Sequence, residues 1–147
     1  MKLPKITMTI KRSNVAIDEL YTITSSDSAN RVFKKIFDSD TICWTEESII
    51  LCLNRKNVVI GYYKLSSGGM SGTVVDSKVI FTIALKSGAS AIILAHNHPS
   101  GNLKPSEADK NLTKKIVEGG KILDILLLDH LIITDNSYYS LADNGDM

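Results

Sequence analysis

The run AIILA at residues 91–95 is wholly apolar and predicts a short buried strand, and it leads without a break into HNHPSGNLKPSEAD, residues 96–109. Strand side chains alternate between faces, so His96 and His98, two apart, project from the same face. Pro99, Ser100, Gly101 and Asn102 then turn the chain. Pro105-Ser106 opens a helix in which Ser106 is the expected N-cap and Asp109 the third helical position. The Asp109 carboxylate is thereby carried back to the end of the strand. Two imidazoles and one carboxylate suit Zn²⁺, with a fourth tetrahedral position left for water, as in a catalytic rather than a structural site. Such a site generates hydroxide near neutral pH.

A His-x-His pair alone is a weak signal, because exposed loop histidines are ordinary. Ser106-x-x-Asp109 also spells a capping box, and capping and chemistry can coexist there. What singles out the stretch is coincidence: a strand end, a helix start, two histidines on one face and a carboxylate in the helix's first turn.

The rest of the chain supplies the frame. KITMTI, residues 5–10, reads as a strand, and SSDSANRVFKKIFD as a helix behind a Ser/Asp cap cluster, with Val32, Phe33, Ile36 and Phe37 at helical spacing. SIILCLN and VVIGYYKL are apolar, β-branched runs around the turn-prone Asn54-Arg55-Lys56-Asn57, a hairpin pattern. DSKVIFTIALKSG has Asp76 as N-cap, apolar Val79, Ile80, Ile83 and Ala84, and Gly88 as stop. PSEADKNLTKKIVEGG is the next helix, and ILLLDHLIIT with NSYYSL the closing strands. The order α-ββ-α-β-α-ββ predicts an α+β domain of three layers, a mixed sheet flanked by helices.

Composition narrows the function classes. The chain has 147 residues, 44% of them hydrophobic, enough for one domain with a real core. With 17 Lys+Arg against 16 Asp+Glu, the net charge of +1 lacks the footprint of a dedicated nucleic-acid binder. Cys43 and Cys52 are too few for a disulfide scaffold and form no C-x-x-C pair, which fits a reducing cytoplasm. The start MKLPKITMTIKRS lacks the features of a secretory signal, and the longest apolar run is broken by Asp124 and Asp129. A soluble, cytoplasmic protein without a membrane partner is expected.

HNHPSGNLKPSEAD resembles the JAMM motif of the JAB/MPN metallopeptidases, His-x-His-Pro followed after six residues by Ser-x-x-Asp, with His96, His98, Pro99, Ser106 and Asp109 at the matching positions. NRKNVVIGYYKLSSGGMSGTVVD, AIILAHNHPSGNLKPS and LDHLIIT resemble the RadC branch of that superfamily, over roughly residues 46 to 143. The resemblance implies a cytidine-deaminase-like JAB/MPN fold over residues 41–147, with residues 1–40 an N-terminal appendage carrying one helix. RadC proteins commonly carry a helix-hairpin-helix segment ahead of this domain, and none is legible in this sequence.

The resemblance also implies Zn²⁺ held by His96, His98 and Asp109, Ser106 helping to stabilise a tetrahedral oxyanion, and a glutamate just before the first core strand acting as general base. TEESIILCLN offers two such glutamates; counting back from Asn54 favours Glu46, with Glu47 the alternative. The implied activity is zinc-dependent hydrolysis of peptide or isopeptide amide bonds in an unidentified peptide or protein substrate. A DNA-repair-associated or nucleic-acid-processing role and a non-catalytic protein-binding module are the competing readings. A nucleic-acid partner is not indicated by charge, and a two-metal nuclease site would need more carboxylates.

Three other features have bland readings. SSGGMSG lacks the glycine spacing of a phosphate-binding loop and reads as a flexible loop beside the cleft. His130 could be a further ligand or a proton shuttle, but a lone histidine among apolar strand residues is more often a hydrogen-bonded structural one. Lys110, Lys114, Lys115 and Lys121 read as the solvated side of a helix whose apolar face includes Leu112 and Ile116.

Overall fold

A computed structural model describes residues 2–13, 21–68 and 74–147. Three helices and five strands alternate in the expected order: α1 (Ser26–Ile36), β1 (Glu47–Leu53), β2 (Val59–Ser67), α2 (Ser77–Ser87), β3 (Ala91–Asn97), α3 (Glu107–Leu123), β4 (Leu126–Ile133) and β5 (Tyr138–Ser140). The strands form one mixed sheet in the order β2-β1-β3-β4-β5. β3 and β4 pair in parallel, joined by the crossover helix α3, while the β1–β2, β1–β3 and β4–β5 pairs are antiparallel. This is the predicted α+β, three-layer architecture.

Strand alternation divides the apolar residues between the two sides of the sheet. Ile49, Leu51, Leu53, Ile93, Ala95, Leu131 and Ile133 face α1, meeting Ala29, Val32 and Phe33. Ile50, Cys52, Ile92 and Leu94 face the other way, meeting Ile80 and Ala84 of α2 and Ile116 of α3. β1 and β3 are consequently buried at every position, the condition for strands covered on both faces. The helix expected in an appendage before residue 41 lies inside the first of these cores, because its apolar side has a sheet face to bury.

Local signals mark most element ends. Ser25 caps α1 in a capping box, Asp76 accepts from the Lys78 N–H at the start of α2, and Gly88 ends α2 at φ 71°. α3 runs three residues past the Gly119-Gly120 pair expected to end it, to a left-handed Asp124. Gly120 serves packing instead: a Cβ there would lie 2.2 Å from the Ile125 carbonyl oxygen. KITMTI forms no strand; residues 2–13 are exposed and without secondary structure, and Ile6, Met8 and Ile10 find no sheet edge. Among the described residues, no helix is long and apolar enough to cross a membrane.

Candidate metal centre

The site sits where the α2/α3 side of the sheet meets the open ends of β1 and β3. Ser48 pairs with His96 across the antiparallel β1–β3 ladder. His96 shares the face of Ile92 and Leu94, and Glu46, two residues before Ser48, continues that face. Single ligand atoms of Glu46, His96 and His98 lie within 4.8 Å of one another. Glu47 is turned to the other side, where its Oε1 accepts from Lys64 Nζ at 3.0 Å. Asn97 fixes this division. Its side chain, buried on the α1 side, accepts from the Glu47 N–H at 2.7 Å and donates to the carbonyls of Ile42 and Thr45 at 2.7 and 2.8 Å. The segment that delivers Glu46 is therefore tied to the strand that delivers both histidines.

His98 follows the end of β3, its N–H donating to the Ile133 carbonyl at 3.0 Å. The turn through Gly101, at φ 81°, brings the Asn102 carbonyl to 2.6 Å from His98 Nδ1. A carbonyl can only accept, so Nδ1 carries the hydrogen, and a neutral His98 presents a bare Nε2. That nitrogen lies 2.9 Å from His96 Nε2. Asp109 completes the cluster from the first turn of α3, with Oδ1 3.3 Å from His96 Nε2 and Oδ2 3.7 Å from His98 Nε2. The capping box holds it there: Ser106 Oγ accepts from the Asp109 N–H at 3.1 Å, and Asp109 Oδ2 accepts from the Ser106 N–H at 2.8 Å.

Burial works against charge on Asp109, but the side chains of His96 and His98 beside it outweigh burial and hold its carboxyl well below the usual carboxylate range. The Asp109 carboxylate in turn raises His98, with burial opposing. His130 is pushed down to about 3 by complete burial, with His96 adding to the effect. An anionic carboxylate set against imidazole lone pairs calls for a cation, either a proton or a metal. The separations are of the size that two ligands of one ion have when each bond is roughly 2 Å, so the donor set is compatible with a metal ion.

A cleft of about 240 Å³ opens onto the cluster, lined by Glu46, Ser48, His96, Asp109 and His130 with the apolar Leu65, Leu94 and Leu112. Val74 and Val75 line it as well. Residues 69–73, the greater part of the SSGGMSG stretch, lie outside the described residues. Ser106 is exposed at the helix cap and stands apart from this lining.

The sequence family described as the RadC-like JAB domain matches residues 23–146. The chain belongs to the RadC-like JAB domain family. It is 48% identical over 127 residues to a UPF0758 protein of Flavobacterium johnsoniae, covering 86% of this chain and 54% of that protein. Similar proteins of Alkaliphilus metalliredigens and Staphylococcus aureus, both named UPF0758, are 47% identical over 98 residues and 46% over 100. These matches cover 67% and 68% of this chain and 42% and 44% of those proteins. The chain thus spans about half, or less, of the length of the relatives it matches.

Residue order alone did not bring three groups of this RadC-like JAB domain to the centre. Asn97 stands inside the HNHP motif but points to the opposite face, and Thr113 reads as one more polar residue on a helix. His130 of LDHLIIT lies beneath the cluster, its Nε2 2.9 Å from His96 Nδ1 and its Nδ1 2.6 Å from Thr113 Oγ1. The signal for His130 was its strand parity, which becomes informative once β4 is known to pair with β3 so that Leu94 stands opposite His130.

Proposed function

We propose that this RadC-like JAB domain is a zinc-dependent hydrolase of peptide or isopeptide amide bonds, with His96, His98 and Asp109 holding the ion. The observation that carries the reading is the convergence of two imidazole nitrogens and a carboxylate at 2.9, 3.3 and 3.7 Å, with Glu46 on the same face. Bound there, Zn²⁺ supplies Lewis acidity, polarising a carbonyl and making water acidic enough to lose a proton near neutral pH. Glu46, whose carboxylate oxygen lies within 4.8 Å of the imidazole nitrogens of His96 and His98, takes the proton of the attacking water and returns it to the leaving amine. Ser106 Oγ accepts from the Asp109 N–H, leaving its own hydrogen to donate to the developing oxyanion. The apolar walls of the cleft, Leu65, Leu94 and Leu112, keep water other than the reactant from the scissile bond.

The test joins metal analysis to cleavage of a peptide library with and without chelator. About one Zn²⁺ per chain and chelator-sensitive cleavage are expected, with His96→Ala/His98→Ala losing both. Glu46→Gln should leave zinc content unchanged while lowering hydrolysis roughly 10²–10⁴-fold. Glu47→Gln, which keeps an oxygen to accept from Lys64 and lies on the face away from the histidines, should leave hydrolysis near wild type. The reverse pattern would remove Glu46 as the base, and stoichiometric zinc without cleavage of any amide would favour the protein-binding module.

A further inference from the structure

We infer that Thr113 and His130 are positioning residues that lock His96 in its Nδ1–H tautomer, so that the His96 Nε2 lone pair faces the metal centre. The inference deepens the metal reading and rests on it for its purpose, though not for its geometry.

The Thr113 hydroxyl has one hydrogen and two close neighbours, the Asp109 carbonyl oxygen at 2.7 Å and His130 Nδ1 at 2.6 Å. The carbonyl oxygen has no hydrogen to give, so the hydroxyl donates to it and can only accept from His130. His130 Nδ1 therefore carries a hydrogen. The ring is 2% exposed, with His96 and Thr113, neither of them a carboxylate, as its hydrogen-bond partners, and burial keeps it neutral. Its Nε2 is then bare and must accept from His96 Nδ1 at 2.9 Å. A neutral His96 with hydrogen on Nδ1 has a lone pair on Nε2, the atom that meets His98 and Asp109.

The reversed chain fails twice. It would leave the Thr113 and Asp109 oxygens 2.7 Å apart with no hydrogen between them, and it would aim an Nε2–H of His96 into the space an ion would occupy. The chain also closes on itself, because the carbonyl that sets its direction belongs to Asp109. One backbone group of α3 thus orients a ligand on β3 through a histidine on β4. The Asn102 carbonyl does the same for His98 directly. Each imidazole of the centre is oriented through its remote nitrogen, an arrangement that fixes the ring and raises its basicity toward a metal.

The experiment uses the full chain. Long-range ¹H–¹⁵N correlation on histidine-labelled, metal-free protein should show Nδ1–H, with bare Nε2, for both His96 and His130. A protonated Nε2 on His130 would overturn the inference. The isosteric Thr113→Val should weaken binding of Zn²⁺, and of Co²⁺ used alone as a spectroscopic probe, by roughly 10–100-fold and shift the visible bands of bound Co²⁺, while Thr113→Ser restores both. Wild-type affinity and Co²⁺ spectrum in Thr113→Val would overturn it. Were the wild-type chain to bind neither ion, the proposed function would fall, while the tautomers of the metal-free chain would still decide this inference by themselves.

Discussion

Two aspartates, Asp129 in the middle of β4 and Asp109 in the first turn of α3, have opposite surroundings. Asp129 is buried on β4 and surrounded by donors: Oδ1 accepts from the N–H groups of His130 and Ala142 at 2.7 and 3.1 Å, and Oδ2 from Ser140 Oγ at 2.6 Å. Burial nevertheless pushes its carboxyl up, with the Ser140 hydroxyl only partly compensating. Asp109 receives one backbone N–H from its own helix cap and turns otherwise toward two imidazole nitrogens and a cleft. Burial is overcome there, and its carboxyl is pushed down. A carboxylate whose oxygens are used by fixed donors ties the end of β5 and the turn after it to β4. A carboxylate whose other neighbours are imidazole nitrogens retains capacity for a cation, so the two should fail differently when removed.

The largest effect is expected from Asp129→Ala. It strands the His130 N–H and the Ser140 hydroxyl in a buried place, at roughly 1–3 kcal/mol per orphaned donor, and frees the part-buried Ala142 N–H, so urea denaturation should show a loss of several kcal/mol. Whatever folded protein remains should bind metal in wild-type stoichiometry. Asp109→Ala should show the reverse, metal affinity lost with only about 1 kcal/mol of stability, the scale of an N-terminal cap. Equal stability losses in the two variants would break the comparison.

The contrast was half legible in the sequence, and the line falls between local and non-local causes. Ser106, Asp109, Asp76 and Gly88 announced themselves because caps act within one helical turn. The three-layer order followed from alternation and apolar runs, which are also local. The choice of face between Glu46 and Glu47 needed the pairing of Ser48 with His96, and the setting of His130 needed the parallel register that places Leu94 beside it. Registers are fixed by contacts between segments distant in sequence. KITMTI carries strand composition, but pairing, which composition does not encode, is missing there.

A further effect, spread over pH, should sharpen the comparison in metal-free protein. His130 has a folded pKa of about 3 against an ordinary 6.5, so its neutral form contributes stability above 6.5 that is lost as pH falls toward 3. The slope approaches ~1.4 kcal/mol per pH unit inside that window. Asp109, lowered, adds a loss as pH falls below its ordinary 3.8. Asp129, raised, acts with the other sign: stability is gained as pH falls through its folded pKa toward 3.8. Urea titrations from pH 7 to 3 should therefore show a shallower acid limb in Asp109→Asn and His130→Gln, and a steeper one in Asp129→Asn. Parallel limbs in the two aspartate variants would show that their surroundings do not differ as described.

The smallest expected stability effect belongs to Ser106→Gly, at a residue where a helix cap and a proposed oxyanion donor coincide in one hydroxyl. Its Oγ accepts from the Asp109 N–H, so Ser106→Ala should cost about 0.5–2 kcal/mol and Ser106→Gly only a few tenths, because glycine leaves the cap open to water. Chemistry would rank the pair differently. Neither alanine nor glycine can donate to an oxyanion, so both should lower turnover by a similar factor, on the order of 10²–10³ for one lost donor. The box also carries a link to the metal, since the Ser106 N–H donates to Asp109 Oδ2, and both variants keep that backbone donor. Metal affinity should then stay near wild type in Ser106→Gly. Turnover that follows stability, high in glycine and low in alanine, would leave Ser106 as a cap alone.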